Sequence, residues 1–250
     1  MALWLREVKL ELTADETALP GLCAGLLGLA PDDLKDFKVV RRAIDARKKS
    51  NVLQVYTVEF HVEDEEGLLA AQAENPALVR APEPSALPVE TVAGDCRAVV
   101  VGMGPCGLFA ALRLAEAGVR VVLVEQGRPV EARVRDVERF WSGGGLDFAS
   151  NVQFGEGGAG TFSDGKLTTR LNHPRLRAIL ETFVELGAPE HLLVNARPHI
   201  GTDRLRHLLV RFRQKLEKLG VDLRFETCLT GIECRQGRVV GAILDGRELQ

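Results

Sequence analysis

Apolar residues change their spacing along this chain, and each change marks a predicted element. Val8, Leu10 and Leu12 alternate with polar neighbours, the two-residue period of a half-buried strand. Asp15–Leu29 is apolar at helical spacing, with Pro20 and Gly21 blurring its start. Asp36–Ile44 predicts a second strand. Val52, Tyr56, Val58, Phe60 and Val62 predict a third, and Asp64–Glu74 a helix. The order strand–helix–strand–strand–helix makes residues 1–75 a small α+β leader domain, ferredoxin-like in arrangement. Residues 76–94 hold Pro76, Pro82, Pro84 and Pro88 with little periodicity and read as an extended linker.

Beyond the linker the pattern becomes α/β. Val99–Val101 is a short buried strand, Leu108–Ala117 a helix ended by Gly118, and Val119–Val124 the next strand. Val130–Trp141 predicts an amphipathic helix and Pro174–Leu186 another, closed by Gly187. Leu192–Val194 reads as a short strand. Thr202 is placed to cap a helix running to Leu219, with Leu205, Leu208, Leu209, Phe212 and Leu216 on one face. Val221–Glu226 is a strand, and Leu229–Cys234 with Val239–Leu244 a hairpin. The fold class of residues 95–250 is therefore α/β, a Rossmann-like nucleotide-binding domain with a glycine-rich insertion.

Composition narrows the class of protein. The 250 residues are 46% hydrophobic and 27% charged, enough for a sizeable core, and the net charge of −3 selects no partner. No apolar run is long enough to span a membrane, and Arg6, Glu7 and Lys9 interrupt any signal peptide. The five cysteines are scattered without a C-x-x-C pair, so neither a metal site nor a disulfide framework is indicated, and a reducing cytoplasm is expected. Arg41, Arg42, Arg47, Lys48 and Lys49 crowd one hairpin. Without interleaved aromatics this reads as a solvated or docking surface, and nucleic acid is not an expected partner.

Candidate chemistry is concentrated in Arg97–Gly127. Gly102, Gly104 and Gly107 form G-x-G-x-x-G between a strand and a helix. Gly102 permits the turn, Gly104 lets backbone approach a pyrophosphate, and Gly107 lets helix and sheet pack closely. Pro105 fits the first helical turn, and Cys106 beside it reads as a small packing residue. Glu125, followed by Gln126, ends the second strand at the offset where a carboxylate can accept hydrogen bonds from both ribose hydroxyls. The alternative is a tight strand–helix turn with no ligand. Arg128 and Arg133 follow closely and could reach a phosphate or lie at the surface. A second glycine run holds Gly155, Gly157, Gly158, Gly160 and Gly165, with Val152, Phe154, Phe162 and Leu167 among them. Backbone passing close to a flat ligand accounts for both the glycines and the apolar residues. Thr161, Ser163, Asp164 and Lys166 add polar side chains there. His173 and His199 have no carboxylate partner identifiable from sequence and read as structural.

The runs VVVGMGPCGLFAALRLAEAGVRVVLVEQG, NVQFGEGGAGTFSDGKLTTR and RPHIGTDRL, with the earlier RRAIDARKKSNVLQVYTVEF, closely resemble a family of bacterial FAD-dependent dehydrogenases of the glutathione-reductase-like class. The resemblance implies FAD as cofactor, with NAD(P)H a candidate electron donor and the substrate open. It implies Gly102, Gly104, Pro105, Cys106 and Gly107 at the diphosphate, and Glu125 and Gln126 at the adenosine ribose. It further implies Gly157, Gly158, Ala159, Gly160 and Thr161 along the flavin or its diphosphate, and Arg133 on the cofactor side. Cys228 and Leu229 would meet the adenine through main-chain atoms. Disulfide reductases of that class carry a cysteine pair beside the flavin; Val152–Arg170 has none, which argues against thiol–disulfide chemistry by that route. Proteins of the class continue beyond the equivalent of Gln250, so the expectation is the amino-terminal half of an enzyme. Two alternatives stand beside it: an NAD-dependent oxidoreductase, and a non-catalytic nucleotide-binding sensor or scaffold.

Overall fold

The computed structural model describes residues 2–83, 88–162, 173 and 175–249, with only the backbone of Thr202. Leu3–Glu11 (β1) opens the chain, followed by Leu19–Leu27 (α1), Lys35–Asp45 (β2), Leu53–His61 (β3), Glu65–Ala71 (α2) and Leu78–Arg80 (β4). The four strands form one antiparallel sheet in the order β2-β3-β1-β4. Leu3, Leu5, Val8 and Leu10 of β1 and Tyr56, Val58 and Phe60 of β3 are buried in one core with Leu19, Cys23, Ala24 and Leu27 of α1. Strict alternation would send Leu5 and Val8 to opposite faces. A break in register between them, with Glu7 at φ +56°, inserts the extra residue that turns both inward. Each fully buried aliphatic or aromatic side chain here stabilises the unit by about 1.5–3 kcal/mol.

Two local readings change in this part of the chain. The stretch read as linker contains β4, whose three residues pair with β1 and bury Leu78; a strand that short leaves no periodicity to detect. Arg41 and Arg42 belong to β2 itself rather than to a hairpin loop.

The parallel part begins with Arg97–Val101 (β5), Pro105–Glu116 (α3), Arg120–Val124 (β6) and Val130–Trp141 (α4). Arg175–Glu185 (α5) and Thr202–Lys218 (α6) follow, then Asp222–Arg224 (β7). β5, β6 and β7 make a parallel sheet in that order, and α3 packs on β5 and β6. Leu229–Arg235 (β8), Arg238–Leu244 (β9) and Arg247–Leu249 (β10) form a separate antiparallel meander. Its first turn has Gln236 at φ +50° and Gly237 at φ +74°, the pair of positive angles that joins twisted strands in a two-residue hairpin. Leu192–Val194 is not a strand: Glu190–Leu193 is a 3-10 turn entered from Pro189, and three apolar residues in a row cannot distinguish the two. The residue capping α6 is Gly201, at φ +83°, rather than Thr202.

The described parts of Met1–Ala86, Leu167–Val184 and Pro189–His199 form one compact unit. Those of Leu87–Lys166, Glu185–Ala188 and Ile200–Gln250 form the second. In the first unit, residues 194–196 line the outer edge of β2: the Arg42 N–H donates to the Val194 carbonyl (2.8 Å) and the Ala196 N–H to the Arg42 carbonyl (2.9 Å). The Arg42 guanidinium adds bonds to Asn195 Oδ1 and to Glu16. In the second unit, Val99, Val101 and Val122 face Ile232, Val239 and Val240 across a cleft of about 650 Å³. Among the described residues no helix is long and apolar enough to cross a membrane.

Candidate functional site

The site is built where the β5–α3 turn meets the second glycine run. Gly102 has φ +92°, the left-handed conformation that lets the chain leave β5, and its N–H donates to the Val124 carbonyl of β6 at 2.7 Å. A Cβ on Gly107 would lie 1.9 Å from the Gly102 carbonyl, so any side chain there would push α3 off the turn. Gly104 caps α3 without a side-chain hydrogen bond, and a Cβ on it would meet no heavy atom of the described residues within 4 Å. The first N–H groups of a helix have no partner inside it. With Pro105 lacking one, those of Cys106 and Gly107 are left at the N-terminus of α3, at the positive end of the helix dipole.

The second glycine run is bonded to that turn. The Gly157 N–H donates to the Met103 carbonyl at 2.8 Å, and a Cβ on Gly158 would stand 3.4 Å from Gly104 Cα. Gly157, Gly158 and the start of Ala159–Phe162, a 3-10 turn, are thus brought against the helix N-terminus. Gly155, Gly157 and Gly158 all have positive φ. Ser163, Asp164, Gly165, Lys166 and Leu167 lie outside the described residues.

Glu125 is buried at the end of β6, and protein groups already occupy much of its carboxylate. Oε2 accepts the Met103 N–H (2.8 Å), and Oε1 accepts those of Gly127 (2.9 Å) and Gly155 (3.0 Å). Of the roughly four acceptor positions on a carboxylate, this leaves one for a ribose hydroxyl, where the sequence predicted two. Gln126 sits beside it at the same strand end. The chain after β7 runs alongside, with the Thr227 N–H donating to the Glu125 carbonyl at 3.0 Å. The Cys228 N–H donates to Asp245 Oδ1, and its carbonyl accepts the Asp245 N–H. Leu229 then opens β8. The structure therefore gathers the residues around Glu125, but the Cys228 N–H is already bonded.

Arg133 occupies a different place from the one expected. Its side chain is fully buried, and its donors go to the protein: Nε to the Asn151 carbonyl (2.8 Å), Nη2 to Val152 (2.9 Å), and Nη1 to the Glu156 carbonyl (2.7 Å) and Thr161 Oγ1 (3.2 Å). Its guanidinium also lies over the Phe162 ring, 4.8 Å from the centroid. Burial pulls it down to about 10, against the attraction of Glu125 and Glu156, so it remains a cation at neutral pH. It braces the glycine-rich segment from behind and is not aimed at a ligand.

Glu156 is the residue that sequence reasoning missed. It is fully buried, with Oε2 accepting the Val130 N–H at the start of α4 (2.8 Å) and Arg213 Nη1 from α6 (3.2 Å). Burial, helped by Glu131 and Glu217, pushes it up to about 7 despite the Val130 bond and Arg213. An acid inside G-E-G-G reads as a polar loop residue; only the arrival of two helices, far away in sequence, buries it.

Residues 97–185 match the family described as FAD binding domain. FAD is the cofactor of this region, and the open helix N-terminus, the glycine turn and the residual acceptor on Glu125 fit it. Residues 5–61 match a domain of unknown function (DUF8436). An uncharacterized protein of Clostridium beijerinckii is 34% identical over 250 residues, the whole of this chain and 47% of that protein. The chain thus spans about half the length of the curated relative it matches. Among solved structures, Thermovibrio ammonificans THI4 is 20% identical over 63% of this chain and 48% of its own, with a TM-score of 0.36. A flavocytochrome c3 fumarate reductase is 18% identical over 75% of this chain and 34% of its own, also at 0.36.

Proposed function

We propose that the chain is an FAD-dependent oxidoreductase, or the FAD-binding part of one. The observation that carries this reading is the contact between the two glycine runs, Gly157 on Met103 and Gly158 on Gly104, beside the uncapped N-terminus of α3. The main chain of Gly102–Gly107 would hold the diphosphate, Glu125 one ribose hydroxyl with Gln126 adjacent, and Gly157–Thr161 the stretch towards the flavin. Cys228 and Leu229 would border the adenine. Bound FAD supplies hydride and electron transfer at flavin N5. The protein's share is to orient the cofactor and fix the dipoles around it. The strand order β5-β6-β7 with α3 supports a Rossmann-like domain, and order β2-β3-β1-β4 supports a ferredoxin-like leader. A glutathione-reductase-like class and a cytoplasmic location remain part of the same reading.

The test is FAD titration of the purified chain, followed by calorimetry and by the visible flavin spectrum. Stoichiometric binding is expected, weakened at least tenfold by Gly104→Val, whose side chain would stand in the phosphate approach. A chain that binds NAD in calorimetry, and not FAD, would overturn the proposal.

A further inference from the structure

Arg213 serves two acids of unequal exposure. Glu131, half-exposed at the start of α4, pairs with Nη2, and fully buried Glu156 lies 3.2 Å from Nη1. One guanidinium cannot neutralise both, and the charge is cheaper on the acid that water still reaches. The environments push the two apart accordingly. Burial would raise Glu131, but the hydrogen bond and charge of Arg213, its own main-chain N–H and the charge of Arg135 together hold it low, whereas Glu156 is raised. Among the described residues, Glu217 on α6 also acts on Glu156 and opposes its ionisation, and the Nη1 of Arg133 on α4 bonds the Glu156 main-chain carbonyl.

The geometry of the carboxyl agrees. Oε2 has two donors, while Oε1 is buried without a hydrogen-bond partner among the described residues. An ionised, unpartnered oxygen in that position costs more than an unpaired O–H. The neutral form carries its proton on Oε1 and leaves both bonds at Oε2 intact.

The next residue, Gly157, is bonded to Met103 in the turn that faces the diphosphate. We propose that Glu156 is a positioning residue that takes up a proton from solvent when FAD docks, so that the loop behind the diphosphate is held by a neutral carboxylic acid. This rests on the FAD reading above. A negative diphosphate at α3 opposes a buried carboxylate one residue behind its cradle, and protonation removes that repulsion while Val130 and Arg213 keep the loop in place. The balance is simple: the carboxylate gains one proton at Oε1, and no other bond changes.

The experiment is calorimetric titration of the whole chain with FAD between pH 6 and 9, in buffers of different ionisation enthalpy. Proton uptake approaching one per FAD is expected above neutrality, with Kd weakening by up to tenfold per pH unit there. Glu156→Gln should bind FAD with no uptake and a flat profile. In wild-type protein labelled with 13C at the glutamate side-chain carboxyl, the resonance titrating near neutrality should move to higher pH with FAD; this reading does not depend on the variant folding. FAD binding without proton uptake, or an unmoved resonance, overturns the inference and leaves the FAD reading standing. If FAD does not bind at any pH, both fall.

Discussion

Two buried charges, Arg133 and Glu156, set the terms at the scale of single residues. Arg133 reaches four main-chain carbonyls and one hydroxyl. Arg133→Met keeps most of the volume and strands those acceptors. A loss of about 3–5 kcal/mol in urea unfolding is expected, and Arg133→Lys should not rescue it, because an ammonium cannot span the same fork. For Glu156 the sign follows from linkage. Its folded-state value of about 7 lies above the ordinary 4.5, so the unfolded chain releases its proton first. The penalty is absent where both states are protonated, grows as pH rises from about 4.5 to 7, and is complete above that. Wild type should therefore lose on the order of 2–3 kcal/mol relative to Glu156→Gln between pH 4 and 8. Denaturant curves for both proteins at the two pH values check this.

Glycines decide the elements around the site, and the structure separates those that must be glycine from those that need not be. A Cβ on Gly157 would meet Thr161 Oγ1 at 2.3 Å and Leu209 Cδ1 at 2.4 Å, from a backbone already at φ +85°. One on Gly160 would meet no described residue within 4 Å, at an ordinary φ. Gly157→Ala should thus lower stability by about 1–3 kcal/mol and weaken FAD binding, whereas Gly160→Ala should leave the melting temperature within a degree or two. The strand–turn–helix around Gly102–Gly107 was legible from sequence because its constraints are local: a tight turn, a close helix and a short distance to Glu125. α4 matched its predicted span, Val130–Trp141, for the same reason. What escaped depends on pairing at a distance. β4 exists only through β1, and the parity of β1 shifts at an extra residue that no periodicity announces. The roles of Arg133 and Glu156 depend on residues 18–57 positions away.

At the scale of the whole molecule, the second unit leaves apolar rows in the open. Val101, Ile232, Val239 and Val240 are each at least half exposed around the cleft between the two sheets, and β5 is an edge strand. Parallel sheets ordinarily have both faces covered, and an apolar edge is a site of association. Light scattering of the 250-residue chain should show mass rising with concentration, and the pair Val101→Lys with Val239→Lys should suppress the rise without altering FAD affinity.

The first unit is written in three separate stretches of the chain. The outer edge of β2 is paired by residues 194–196, which the chain reaches only after passing through the second unit. The leader is consequently not a cassette. Cut at the proline-rich segment, it would surrender the strap along β2 and expose a strand edge, and a recombination event at that point would transfer an unfinished part. During synthesis its final stretch leaves the ribosome only after the glycine turns and all of α4 have emerged. Limited proteolysis should find residues 2–83 less resistant alone than within the intact chain.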